Sequence, residues 1–460
     1  MRVVGAVRRW DFRGDSSGDL ACDPVTGRFV AARPDDDDVL VAEGCVVTPG
    51  LVNAHHHLLQ SAFRTLPGTR GVPMREWLRV MGAAYRRTGV DAELAGAAAS
   101  VGLAEAALRG VTTVADHQLT WLGASVSDDV GLASAVVAAA RRLGVRLVFV
   151  RGSAGDDPMR AAESAAAIAS AFPADDHVRV AVGPAGVHSD SKETFALLGE
   201  VAARYGLRRR TQANEQVDVQ VAAQKYGRRP LDLLDEWGWL APDVTLAHLC
   251  DVTPSEVRRV AAAGVSVTHA PGCDLPMGWG VAPMASFADA GVAVGLGTSG
   301  GGSNDAGHLL ADARLALQVA PLAGRPVSAR EVLSWATAGS ATGLGRGPGP
   351  AAGPGGSVGP GGSVGPGGSV GPGGAGTGAP VVLGSLAVGA AADFVCWDVT
   401  GVADAGVADP IGGLLWTDPG RRPRHVVIAG RVVVREYQLV VADAPALARD
   451  LTTMLHRRPG

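Results

Sequence analysis

The chain has 460 residues, 47% of them hydrophobic, and a formal net charge of −4 at pH 7. This length suits one large domain with a smaller one attached, and the weak negative charge gives no reason to expect a nucleic acid or an anionic membrane as partner. Five cysteines without a Cys-x-x-Cys pair, no signal-like apolar N-terminus and no run of about eighteen apolar residues predict a cytoplasmic protein without disulfides or membrane spans.

The segment 49–57, which reads Pro-Gly-Leu-Val-Asn-Ala-His-His-His, is the most informative part of the chain. Apolar residues over 44–52 predict a buried strand, with the histidines directly after it. Side chains alternate along a strand, so His55 and His57 point to one side and His56 to the other. Two adjacent imidazoles at a strand end can bind one transition metal ion. A histidine-rich surface turn is the alternative, and the apolar flank disfavours it.

Strand-like and helix-like segments alternate between residues 49 and 345. Helices are predicted at 92–109 and 131–143, and further strands at 111–115, 145–150, 178–182, 207–211, 244–246, 265–268 and 292–296. About eight such units predict an α/β fold, a closed (β/α)8 barrel of the TIM type, whose active site would lie at the C-terminal ends of the strands. Four candidate residues fall there: His55, His117, His248 and His269.

The remaining segments differ in composition from the predicted barrel. Residues 1–48 and 380–437 consist of short strand-like pieces and turns, and 438–460 form a C-terminal helix or tail. Between barrel and C-terminal part, residues 346–379 are rich in glycine and proline, and Gly-Gly-Ser-Val-Gly-Pro recurs three times. Such a composition buries too little apolar area to offset the entropy of ordering, so we expect a mobile linker without a catalytic role.

These motifs resemble the amidohydrolase superfamily, in particular the branch that holds 8-oxoguanine deaminase and the s-triazine hydrolases. The likeness runs from about residue 40 to 434, apart from the insertion. It implies that both chain ends join in one small β-sandwich beside the barrel. It further implies hydrolysis of a C–N bond, as in deamination, in a small N-heterocycle such as 8-oxoguanine or an s-triazine. Relatives often pair through barrel helices, so a homodimer or higher homo-oligomer is left open.

The resemblance also implies one divalent metal ion, zinc in the first place, with iron or manganese as alternatives. Its ligands would be His55, His57 and His248, while Gln212 stands where the family has a further histidine. An amide oxygen is a poor ligand for zinc and suits harder metals better. Three histidines remain, which is the usual number of protein ligands for a catalytic zinc.

A second metal is not expected. Some amidohydrolases bridge two metals with a carbamylated lysine on a strand. The two lysines of this chain, Lys192 and Lys225, do not lie on predicted strands. The sequence therefore favours a single-metal site.

Three residues are candidates for the catalytic steps. By resemblance, Glu215 would shuttle the proton from water to the leaving amine, and His269 would contact substrate or the attacking water. Ser299 replaces an aspartate that, in the family, binds the metal and accepts a proton. A serine hydroxyl is too weak a base for that role near neutral pH.

The resemblance places four residues in the substrate pocket: Gln60, Trp77, His117 and Trp279. The indole of Trp279 could stack on a planar ring, or it could simply pack within its loop. Cys273 and Asp274 stand where relatives commonly have a small polar residue and an asparagine, so we expect altered ring selectivity.

The two replacements leave three hypotheses open. The chain is a working single-metal deaminase, a catalytically impaired protein with a binding or regulatory role on an enzyme fold, or an enzyme repurposed for a biosynthetic reaction. Losing a general base costs roughly 10²- to 10⁴-fold in rate, which damages this chemistry without excluding it.

Overall fold

The computed structural model describes residues 1–33, 38–348 and 381–458. The linker predicted at 346–379 lies outside these residues except for its first three. The described strands are β1 (Arg2–Val4), β2 (Arg8–Asp11), β3 (Gly14–Ser16), β4 (Leu20–Asp23), β5 (Arg28–Val30), β6 (Val39–Val41), β7 (Cys45–Pro49), β8 (Leu51–His57), β9 (Val111–Gln118), β10 (Arg146–Ser153), β11 (Val178–Pro184), β12 (Arg208–Ala213), β13 (Val244–His248), β14 (Ser266–His269), β15 (Val294–Leu296), β16 (Ser299–Gly300), β17 (Phe394–Asp398), β18 (Pro423–Ile428), β19 (Arg431–Arg435) and β20 (Gln438–Leu439).

The α-helices of the same ranges are α1 (Met74–Thr88), α2 (Ala92–Leu108), α3 (Val126–Leu143), α4 (Pro158–Ala171), α5 (Lys192–Tyr205), α6 (Gln216–Tyr226), α7 (Pro230–Glu236), α8 (Pro254–Ala262), α9 (Pro271–Asp274), α10 (Met284–Asp289), α11 (Leu309–Val319), α12 (Ala329–Ser334), α13 (Ser340–Gly343), α14 (Pro410–Trp416) and α15 (Ala444–Arg457). Short 3₁₀ turns lie at Leu58–Ala62, Ala320–Leu322 and Val402–Asp404, and a π turn at Trp335–Gly339. No helix of the described segments is long and apolar enough to cross a membrane.

The strands from β8 to β14 pair in chain order, all parallel, and the last barrel strand closes the ring. Its first part, β15, pairs with β14, and its second part, β16, pairs with β8. At the break between them, Gly297 N donates to His269 O at 2.8 Å and Thr298 N donates to His55 O at 3.1 Å. A Cβ on Gly297 would lie 2.6 Å from His55 O, so this close approach requires glycine. The predicted (β/α)8 barrel is confirmed.

The strand predicted at 44–52 is wrong as a single element. The segment forms two strands, β7 and β8, which belong to different sheets, and the histidines lie within β8 rather than after it. The chain passes from one sheet to the other at Gly50, where a Cβ would lie 2.1 Å from Thr112 Oγ1. The absence of a side chain there lets the backbone cross against β9.

Both chain ends form the small β-sandwich beside the barrel, as the resemblance implied. β7, β2 and β3 from the N-terminal part join β17 to β20 in one sheet of seven strands, and β5, β4, β1 and β6 form a sheet of four. The two sheets share a small core that includes Val3, Phe29, Cys45 and Phe394. The sandwich meets the barrel at the start of β8, where Gly50 N donates to Asp393 O at 2.9 Å.

The sandwich is tied to the barrel by a buried ion pair. Arg146 at the start of β10 donates from Nε to Asp393 Oδ2 at 2.7 Å and from Nη2 to Asp393 Oδ1 at 2.9 Å. Both side chains are almost fully buried, with 2% and 4% of their surface exposed. Asp393 also accepts from Ala429 N at 2.8 Å, so its carboxylate organises the turn between β18 and β19.

Candidate metal and substrate site

Five histidines converge at the C-terminal ends of neighbouring barrel strands. They are supplied by β8, β9, β13 and β14: His55, His57, His117, His248 and His269, and none is more than 7% exposed. The His55 ring lies among three of the others, with ring-centroid distances of 4.9 Å to His57, 5.1 Å to His248 and 5.9 Å to His117. The barrel thus brings the predicted histidines of distant segments into one cluster.

Hydrogen bonds at Nδ1 orient two of these rings. His57 Nδ1 lies 2.7 Å from His117 O, and His248 Nδ1 lies 2.6 Å from Asp274 Oδ1. Because both partners are acceptors, each Nδ1 carries a proton and each Nε2 is turned towards the cluster. His55 Nε2 is buried and has no hydrogen-bond partner.

The protonation of His55 and His57 suits a cation, whereas His248 must give up a proton to bind one. Burial lowers the pKa of His248, but the carboxylates of Asp274 and Glu215 outweigh burial and raise it above its ordinary value. Burial lowers the pKa of His55 well below its ordinary value and that of His57 to about 4, so both rings are neutral at pH 7. Neutral imidazole is the form that binds a metal. Together with the unpartnered Nε2 of His55, this donor set fits one divalent transition metal ion.

Gln212 lies at the end of β12. Its Oε1 is 3.2 Å from His248 Nε2, and its Nε2 donates to Ala185 O at 3.1 Å. The amide is thereby held with its oxygen facing the histidines.

A tighter group than the predicted trio also exists. Across 1–33, 38–348 and 381–458, the three-residue group whose ligand atoms all lie within 4.8 Å of one another consists of His248, Cys273 and Asp274. The trio of His55, His57 and His248 is more widely spaced.

Glu215 has the surroundings of a proton-transfer group. It is fully buried at the N-terminus of α6, and neither carboxylate oxygen has a hydrogen-bond partner. Its Oε1 lies 3.6 Å from His248 Nε2. Burial raises the pKa of Glu215 to about 7, so this carboxyl can both accept and donate a proton near neutral pH.

His269 and Ser299 occupy the ends of the last two barrel strands. His269 Nδ1 is buried without a partner, and its Nε2 lies 4.0 Å from Asp274 Oδ2. Ser299 adopts a left-handed backbone with φ of +53°, and its Oγ accepts from Ser303 Oγ at 3.5 Å. Non-glycine residues rarely adopt this conformation, which clusters at functional sites. The backbone at Ser299 is therefore strained, as at a functional site, although the side chain there is a hydroxyl and not the expected carboxylate.

A cavity of about 430 Å³ opens above the cluster. The four residues predicted to bind substrate all line it: Gln60, Trp77, His117 and Trp279. Trp77 Nε1 donates to Gly302 O at 3.0 Å, and Gly302 N donates to Gln60 Oε1 at 3.0 Å, so one backbone unit fixes both side chains. The cavity also reaches His57, Gln212 and Ser299, but four other site residues do not line it: His55, Glu215, His248 and His269.

The comparison with protein families decides what this architecture is. The model of the amidohydrolase family matches residues 46–348, well over half of the chain. The chain belongs to the amidohydrolase family.

Several relatives of this amidohydrolase have been named. It is 31% identical over 350 residues to the 8-oxoguanine deaminase of Pseudomonas aeruginosa, with 72% of this chain and 74% of that protein covered. It is 30% identical over 353 residues to an isoxanthopterin deaminase of an unknown prokaryote, with 69% and 72% covered. The atrazine chlorohydrolase of Arthrobacter aurescens, solved with zinc, superimposes with a TM-score of 0.84 at 31% identity over 99% of both chains.

The sequence did not single out several other walls of the amidohydrolase's cavity. Trp121, Tyr85 and His188 line it together with a set of apolar side chains: Leu59, Met74, Met81 and Met277. His188 Nδ1 lies 3.3 Å from Asp218 Oδ1. A signal for His188 existed, since it follows the end of β11 by four residues. Tyr85 had none, because its position in α1 resembles an ordinary packing position.

Proposed function

We propose that this amidohydrolase binds one divalent metal ion and hydrolyses a C–N bond, releasing an amine or ammonia, in a small N-heterocycle. The observation that carries the proposal is the unpartnered Nε2 of His55 within the histidine cluster, beside the unpartnered carboxylate of Glu215. Such buried, unsatisfied polar atoms are costly unless a ligand completes them. The names of the relatives, deaminases of two purine- or pteridine-like rings, support the same chemistry.

In this proposal the ion is held by His55, His57 and His248, with the amide oxygen of Gln212 as a further donor. Imidazole donors suit zinc, and the zinc-containing structural relative agrees with that choice. When bound, the ion supplies Lewis-acid chemistry that makes water more acidic.

The remaining steps belong to the protein's own residues. Glu215 accepts the proton of the attacking water and passes it to the leaving nitrogen. Trp77 and Trp279 hold the planar ring in the cavity, where Gln60 and His117 add polar contacts. His269 and Ser299 complete the polar surroundings, although Ser299 cannot act as the base.

The first expected result is about one equivalent of zinc in the purified protein, measured by elemental analysis. His55→Asn removes the unpartnered Nε2 and is expected to abolish this binding. His56→Asn is the matched control: its ring points to the other side of β8, with Nδ1 at 2.9 Å from Thr298 Oγ1, and it should retain the metal. A protein that stays metal-free after loading with zinc, iron and manganese would contradict the proposal.

The second expected result concerns the two replaced residues. The double change Gln212→His with Ser299→Asp restores the ligands that the family resemblance implies. Because the site is built around an amide and a hydroxyl, we expect the native protein to release ammonia from one of a panel of 8-oxoguanine, isoxanthopterin and amino-triazines. The double variant, whose new imidazole and carboxylate change the donor set around the ion, should be slower on that substrate.

The opposite pattern favours the alternative function. Ammonia release by the double variant alone would mean that the native protein is a lapsed deaminase with a binding or regulatory role. The neutral side chains at 212 and 299 are the observation on which that alternative rests.

A further inference from the structure

Asp274 is a buried carboxylate that the proposed chemistry does not yet use. It ends the short helix α9, directly after β14, and none of its surface is exposed. Its backbone is anchored on both sides: Asp274 N donates to Ala270 O at 3.0 Å, and Trp279 N donates to Asp274 O at 3.0 Å. A charge buried this completely requires a partner.

That partner is His248. The distance of 2.6 Å between His248 Nδ1 and Asp274 Oδ1 is that of a short charge-assisted hydrogen bond. It leaves Nε2 as the nitrogen that faces Gln212 and the histidine cluster. An outer carboxylate on Nδ1 of a ligating histidine fixes the ring and raises its basicity.

The same distance argues against Asp274 as a direct ligand together with His248 and Cys273. Two ligand atoms on a tetrahedral zinc lie about 3.3 Å apart, given metal–ligand distances of about 2.0 Å. At 2.6 Å the two atoms are too close to hold an ion between them, and a proton lies there instead.

Charge balance indicates why a carboxylate stands at this position. With Gln212 and Ser299, the side chains around the proposed ion are neutral apart from Glu215. A buried dication among neutral ligands needs compensating negative charge. Asp274 places that charge one imidazole ring away, where the sequence resemblance expects only an asparagine.

We propose that Asp274 is a positioning residue that holds Nε2 of His248 towards the metal and supplies the negative charge that Ser299 lacks. The inference rests on the metal of the proposed function.

Its test measures Zn²⁺ affinity by competition with a chromophoric chelator. Asp274→Leu, which removes both charge and acceptor, should weaken Zn²⁺ binding by about 10- to 100-fold. Asp274→Asn keeps an acceptor without the charge and should fall between the native protein and the leucine variant. If the leucine variant does not fold, the asparagine variant still decides, because it preserves shape.

Asp312→Asn is the matched control. Its carboxylate is also buried, in α11, and accepts from Gly272 N of the short helix α9 at 2.8 Å rather than from His248. We expect unchanged Zn²⁺ affinity for this variant and for Cys273→Ser.

Each contrary result has a distinct meaning. Native affinity in both Asp274 variants would overturn the inference and leave the metal site standing. A sulfur-to-cobalt charge-transfer band in the Co²⁺-loaded protein would overturn it in favour of direct ligation by Cys273. A native protein that binds neither ion would overturn the proposed function itself.

Discussion

Glu215→Gln is expected to lower the rate of ammonia release by about 10²- to 10⁴-fold while the metal content stays unchanged. The amide has nearly the shape of the carboxyl but can neither accept the proton of water nor donate it to the leaving nitrogen. The native carboxyl suits this task because burial raises its pKa to about 7. Steady-state kinetics on the substrate found in the panel, with elemental analysis of the same samples, measures both quantities.

A distant glutamate provides the control for this prediction. Glu105 lies on α2, where it forms an ion pair with Arg64. Glu105→Gln should leave the rate unchanged. A loss of less than tenfold in Glu215→Gln would mean that another group carries the proton.

The second large effect concerns stability. Asp393→Ala is expected to lower the free energy of unfolding by about 3–5 kcal/mol, because it leaves the buried guanidinium of Arg146 without its partner. Urea titration followed by tryptophan fluorescence measures the change. Replacing both residues with leucine should cost less than the single change, since no unpaired charge then stays buried.

An exposed ion pair in a comparable place is the control. Arg330 on α12 binds Asp15 of β3 at 3.2 Å, with 39% and 37% of the side chains exposed. Asp15→Asn should change stability by only about 0–1 kcal/mol. Equal losses in the free energy of unfolding for Asp393→Ala and Asp15→Asn would show that burial does not determine how much the Arg146–Asp393 pair stabilises the protein.

Local patterns in the sequence were sufficient to predict the barrel fold. Short apolar strands alternate with helices, and the histidines fall at predicted strand ends, because side-chain periodicity and strand length depend on neighbouring residues. The sequence pattern predicts the start of α3 five residues late, because Ser125 and Asp128 form a capping box before the alanine-rich part. Such a cap shifts a boundary without changing the type of element.

Other features depend on pairing between distant segments. The division of 44–52 into β7 and β8 follows from the antiparallel pairing of β7 with β17 near the other end of the chain. The cavity walls Tyr85 and Trp121 come from α1 and the loop after β9, and they face the site only once the barrel is closed.

The sequence by itself determined that histidines recur at strand ends, and that an amide and a hydroxyl replace two expected site residues. The tertiary structure alone decided what surrounds them. Asp274 lies 26 residues beyond His248 in the chain, yet barrel closure brings their side chains to 2.6 Å and removes both from water. A hydrogen bond of this kind depends on where two separate strands end in space, which local composition does not encode.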